Sequence, residues 1–98
     1  MVSPDNKVIP NPSVVFTELE DGEAVLLHMD TRQYFRLNET GATIWVQLQD
    51  GKTPGEISQA LVAAYDISQE RARQSVLDLI ETLAEQNLVS IAGEPPSG

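Results

Sequence analysis

Short β-branched and aromatic runs separated by turn residues fill the first part of the chain, and from Ala42 onward apolar residues recur every three or four positions. The chain therefore reads as sheet first and helices afterwards. Val14-Val15-Phe16-Thr17-Glu18-Leu19 is a strand pattern, Glu20-Asp21-Gly22-Glu23 carries an Asp-Gly hairpin turn, and Ala24 to Met29 is a second strand. Asp30-Thr31-Arg32 turns the chain into Gln33 to Leu37. The simplest topology is a three-stranded antiparallel meander with the second strand in the middle, which leaves a free edge on each outer strand. In the third strand Phe35 and Leu37 share one face while Tyr34 and Arg36 take the other.

The period then changes within a few residues. Ala42, Ile44, Trp45 and Leu48 fall on one side of a helix that Asn38 can cap, so strand and helix must close onto one core with Trp45 as its large anchor. Asp50-Gly51 ends that helix. Thr53-Pro54-Gly55-Glu56 is a capping box with proline at the first helical position, followed by an inward stripe of Ile57, Ala60, Leu61, Ala64 and Tyr65. Ser68 can cap a third helix from Gln69 to about Gln86, with Ala72, Val76, Leu79, Ile80 and Leu83 inward, Asn87 ending it and Leu88 to Ile91 extended. Three helices after a small antiparallel sheet make an α+β, winged helix-turn-helix layout, which by itself does not imply DNA binding.

Composition bounds the rest. Ninety-eight residues with 41% hydrophobic content allow one small domain, assigned to residues 13–91. Residues 1–12, with Pro4, Pro10 and Pro12, are expected to be an extended or disordered arm, and 92–98 a disordered tail. The chain has no cysteine, no signal-peptide pattern and no apolar run long enough to span a bilayer, which points to the cytoplasm and away from membranes. A net charge of −9 disfavours a phosphate backbone as partner. Positive charge is concentrated in Arg32, Arg36, Arg71 and Arg73, around the third strand and the start of the last helix.

No constellation for catalysis emerges. His28 is the only histidine, lies in a strand between apolar neighbours, and reads as a surface or half-buried residue without a catalytic role. Glu18, Glu20, Asp21 and Glu23 lack the spacing of a calcium loop and read as a solvated hairpin tip. The chain has no phosphate-binding glycine loop, no Gly-x-Ser-x-Gly elbow and no His-Glu-x-x-His motif, and no cofactor is expected. Asn38-Glu39-Thr40 matches a glycosylation sequon, but capping is the preferred role for Asn38.

What remains is a surface suited to binding. The free edge of the third strand, Gln33 to Leu37, can accept an extended peptide as an added strand, with alternate side chains entering the groove beside the last helix. On that helix Ala72, Leu79 and Leu83 border the apolar stripe, Ser75 lies beside them, and Arg71 and Asp78 are further out. The expected site is Gln33, Tyr34, Phe35, Arg36 and Leu37 with Arg71, Ala72, Ser75, Val76, Asp78 and Leu79. The alternative is that Arg32 and Arg36 merely protect an edge strand against aggregation.

Tyr34-Phe35-x-Leu37-Asn38-x-x-Gly41-x-x-Ile44-Trp45, followed by Asp50-Gly51-x-Thr53 and Glu56-Ile57, resembles the PqqD-like family of leader-recognition domains from ribosomal peptide modification pathways. The resemblance runs from about Val15 to Val89. It implies a non-catalytic domain that holds a precursor's leader peptide against the third strand and last helix for separate enzymes. The Tyr34-to-Asn38 junction and the long final helix are similar to the stand-alone members of lasso peptide pathways, which work beside a separate leader peptidase and a cyclase. The alternatives are a PqqD-type peptide chaperone for a radical SAM enzyme and a winged-helix DNA-binding regulator. The family often has an acid near Ser75 and a glycine near Asn87, and this chain departs from it at both.

Overall fold

The Asp-Gly turn closes the first hairpin with Gly22 at φ +82°, a left-handed conformation that glycine adopts without strain. The computed structural model describes residues 7–91. In chain order these form β1 (Val8–Pro10), β2 (Val14–Glu18), β3 (Ala24–His28), β4 (Tyr34–Leu37), α1 (Glu39–Gln49), α2 (Pro54–Tyr65), α3 (Gln69–Glu85) and β5 (Val89–Ile91). β2, β3 and β4 are the expected meander, with β3 central and both pairings antiparallel. The winged helix-turn-helix layout is thus present in full.

One face of the meander meets the helices. Ala24 and Leu26 of β3 and Leu37 of β4 are buried with Ile44, Trp45 and Leu48 of α1, and Trp45 is fully inaccessible. From α2 the core takes Ile57 and Leu61, and from α3 it takes Ala72, Val76, Ile80 and Leu83. The inward side of α2 is rotated from the expected stripe: Ser58 is buried, Ala60 and Tyr65 are half-buried, and Ala64 is exposed. Ser58 fits there because its hydroxyl donates to the Pro54 carbonyl at 2.9 Å, which satisfies the one polar group it brings.

The three helix starts follow the predicted caps. Asn38 Oδ1 accepts from the Gly41 N–H at 2.8 Å, and Ser68 Oγ from the Arg71 N–H at 3.2 Å. At α2 the box is reciprocal, the Thr53 N–H donating to Glu56 Oε1 at 2.9 Å and the Glu56 N–H to Thr53 Oγ1 at 3.3 Å. The Thr53 backbone N–H, and then its hydroxyl, hold the Glu56 carboxyl below the ordinary value of 4.5.

Two expectations are corrected. The segment assigned to a flexible arm contains β1, which pairs antiparallel with β5, Val8 opposite Ile91 and Pro10 opposite Val89. Val8 is 1% exposed within the core. Val8-Ile9 is too short an apolar run to stand out in the sequence, and it becomes a strand because the chain's other end supplies its partner. Residues 1–6 of the arm, and the tail, 92–98, lie outside the described residues.

His28 is the second correction, since it is buried rather than at the surface or half-buried. It continues the inward face of β3 at a spacing of two from Ala24 and Leu26. Its Nδ1 accepts from the Asp30 N–H at 3.2 Å, and its Nε2 lies 3.3 Å from Asn11 Nδ2. Asn11 also donates to the Asn87 carbonyl at 2.9 Å, so the segment after β1 joins β3 to the end of α3. The neighbours that make burial of a histidine tolerable are remote in sequence.

The packing predicts that Val8→Ala lowers the unfolding free energy by about 1–2 kcal/mol through lost apolar burial, whereas Ile9→Ala stays within about 0.5 kcal/mol, as exposed positions do; urea denaturation of both measures the contrast. A lowered Glu56 pKa means that its stabilisation is complete above the ordinary value and is lost as pH falls through the folded value. Glu56→Ala should therefore destabilise at neutral pH and progressively less in acid below 4.5, as read by denaturation across that window.

Candidate functional site

Hydrogen-bond parity decides what β4 presents to its surroundings. The His28 N–H donates to the Gln33 carbonyl at 2.8 Å, and the register continues with Leu26 opposite Phe35 and Ala24 opposite Leu37. Narrow and wide pairs alternate along an antiparallel ladder, so Phe35 and Leu37 turn their backbone groups toward β3. Tyr34 and Arg36 turn theirs outward, to an edge that no described strand occupies. The same rule on the other side of β3 agrees with the Met29 N–H donating to the Ser13 carbonyl at 2.9 Å. Two residues of β4 thus offer a strand's full set of donors and acceptors.

Beside this edge lies a cleft of about 690 Å³ lined by Glu23, Phe35, Arg36, Leu37, Asn38, Thr40, Gly41, Ile44, Ser75 and Leu79. Its walls are β4, the first turn of α1 and the middle of α3. The inside is apolar through half-buried Phe35 and Leu79 with Leu37 and Ile44 beneath, while Ser75 and the α1 cap provide polar groups. Gly41 has a steric reason to lack a side chain. A Cβ there would come within 3.2 Å of both Leu37 Cδ2 and the Asn38 Oδ1 that caps the helix.

The residues expected from sequence divide into three groups. Phe35, Arg36, Leu37, Ser75 and Leu79 are brought together at the cleft. Gln33 and Tyr34 lie further along the same strand, near the end of α3, where they border a small hollow with His28, Thr31, Gln86 and Leu88. Tyr34 is 75% exposed. Arg71 and Asp78 are exposed on α3 outside the cleft lining, and Asp78 instead accepts from Gln74 Nε2 at 2.7 Å.

Ala72 and Val76 form the third group and are corrected, because both are fully buried in the core and have no surface to offer a ligand. They sit at the middle of the apolar stripe rather than at its border, which is occupied by Leu79 and Ser75. Helical periodicity gives the stripe but not its width, and the width depends on how closely the sheet and α2 pack against α3.

Glu23, Asn38, Thr40, Gly41 and Ile44 were missed. The cap signal at Asn38 identified the start of α1, yet only the fold brings that first turn to the end of the cleft. Glu23 was read as part of a hairpin tip, but Arg36 Nε donates to its Oε1 at 2.8 Å. Arg36, expected either to bind peptide or to protect the edge, is therefore paired within the chain. No group of three or more metal-ligating side chains occurs among the described residues, and no helix among them is long and apolar enough to cross a membrane.

The family model for Coenzyme PQQ synthesis protein D (PqqD) matches residues 23–89. Among solved structures, the chain is similar to TbiB1 in complex with the TbiA(beta) leader peptide, with 33% identity over 89% of this chain and 98% of that one and a TM-score of 0.77. It is also similar to lasso peptide synthetase B1 complexed with the leader peptide, at 26% identity over 86% of this chain and 98% of that one, TM-score 0.78. No curated protein matches the sequence.

The parity of β4 can be measured directly. In the free protein the amides of Phe35 and Leu37 should exchange slowly with deuterium and those of Tyr34 and Arg36 quickly; the reverse order would mean that β4 pairs in the shifted register.

Proposed function

The chain belongs to the PqqD family, and on that basis we propose that it binds the leader region of a ribosomally synthesised precursor peptide in lasso peptide biosynthesis. The leader adds as a strand to the open edge of β4. It presents the attached core peptide to a separate leader peptidase and a cyclase, and the chain itself carries out no catalysis. The observation that carries this reading is the unpaired backbone of Tyr34 and Arg36 on the strand that walls an apolar-floored cleft, in a chain similar to two proteins whose structures contain leader peptides.

The mechanism follows from the parity of the edge. Tyr34 and Arg36 can together make up to four ladder hydrogen bonds, at about 0.5–1.5 kcal/mol net each. Ordering a flexible peptide offsets part of that, so backbone pairing gives register more than affinity. Leader side chains opposite Phe35 and Leu37 point inward, since neighbouring residues across a sheet share a face. One of them enters the cleft against Leu79, Phe35 and Ile44, where burying an aliphatic or aromatic group contributes about 1.5–3 kcal/mol. Side chains opposite Tyr34 and Arg36 stay on the outer face.

The same edge serves the alternative of a PqqD-type chaperone for a radical SAM enzyme, but the lasso peptide synthetase likeness favours the lasso reading. A net charge of −9, with α3 carrying Glu70, Asp78, Glu81 and Glu85 beside Arg71 and Arg73, weighs against duplex DNA as the partner.

Isothermal titration with the TbiA(beta) leader peptide tests the reading. Leu79→Ala should weaken binding by about 1–3 kcal/mol, and Arg36→Ala or Arg71→Ala by about 0–1 kcal/mol, with the arginine effects shrinking at high salt. Equal affinity for Leu79→Ala, with folding intact, would remove the cleft from the binding site. Amide protection that appears in β2 rather than β4 on adding peptide would put the leader on the opposite edge.

A further inference from the structure

Arg36 stands where an added strand would meet it, but its guanidinium is already engaged. Its side chain is 68% exposed on the outer face of β4 and bonds Glu23, whose side chain is 33% exposed. Arg36 lies opposite Val25, and Glu23 precedes Val25 by two, so the carboxylate and the guanidinium are diagonal neighbours on one face of the sheet. Glu23 is well anchored for that position. Its carbonyl accepts the Leu19 N–H at 2.7 Å, which closes the hairpin around Gly22.

A second acidic side chain packs on the turn that precedes Glu23. The Glu39 side chain of α1 packs over Gly22, with its Cγ 3.3 Å and its carboxyl carbon 3.5 Å from where a Cβ would stand. Arg36 is thus held by one acid, and a second packs over the residue that precedes that acid. A leader residue with a negative charge beside Arg36 would have to displace Glu23 and leave that carboxylate unpaired near Glu39.

We propose that Glu23 determines specificity on the outer face of the added strand, by occupying Arg36 so that the leader position beside it takes an uncharged or basic residue and is not selected for acid. This rests on the leader-strand reading above. Exchanging one exposed ion pair for another yields little net affinity, because both pairs are similarly hydrated. The freed carboxylate adds repulsion against the incoming acid. Without Glu23 the guanidinium would become an ordinary selector for Asp or Glu.

The test is a display library of random twelve-residue peptides, selected in parallel on the wild-type chain, on Glu23→Gln and on the double variant Glu23→Gln/Arg36→Gln. All three are first compared by circular dichroism melting, and selected peptides are aligned on their apolar anchor. Wild type should show no enrichment of Asp or Glu at the position beside Arg36. Glu23→Gln should enrich acid there on the order of threefold, and the double variant should lose that enrichment. If peptides with a common anchor are selected but their acid content there is the same on all three proteins, the leader-strand reading stands and the role of Glu23 falls. If none of the three proteins enriches an anchored peptide family, both fall together.

Discussion

The passage from β4 into α1 without an intervening loop is the constraint on which the rest of the molecule depends. Leu37 is the last residue of the strand and Glu39 the first of the helix, and Asn38 between them caps α1 through the Gly41 N–H. The residues that directly follow β4 are therefore helical and leave its outer edge without a hairpin partner. The passage also commits the inward face of β4 and the Trp45 face of α1 to one core, and α3 packs against both. That junction sets the apolar cleft floor at Leu37 and Ile44, while α3 supplies the facing wall and the pairing of β1 with β5 leaves the edge of β4 open.

The terminal segments complete the scaffold on the opposite side. β1 and β5 pair with each other rather than with the meander, and the Asn11 segment partners His28 and the end of α3. Burial of Val8 and of Leu88 and Val89 extends the core beyond the meander and the three helices. A small domain has little apolar surface to spare, so a three-residue strand at each end is a substantial fraction of what holds α3 in position.

Electrostatics around the edge is finer than the chain's net charge suggests. The few basic residues do gather near β4 and α3, but their effect is set by local pairing. Arg36 is held by Glu23, and Arg71 lies beyond the cleft lining on α3. The proposed mode of leader binding, through backbone pairing and one apolar anchor, does not rely on charge for affinity, which suits a protein of net charge −9. On the proposed reading, the Glu23–Arg36 pair then sets which charge a leader can carry beside it.

Local patterns determined the elements. The Asp21-Gly22 turn, the Thr53/Glu56 box, Ser68 and Asn38 were legible because caps and turns are decided by a few adjacent residues, and the order of strands and helices, with the free edge, followed. The family resemblance at Tyr34 to Trp45 added the peptide-binding role. Tertiary structure alone decided which side chains meet across that edge. It placed Val8 in a strand, because the partner is more than eighty positions away. It buried His28 beside Asn11, withdrew Ala72 and Val76 into the core, and gave Arg36 to Glu23. Local periods pointed His28, Ala72 and Val76 inward, but how deeply each is buried, like the partner of a strand or of an exposed charge, is set only when segments distant in sequence pack.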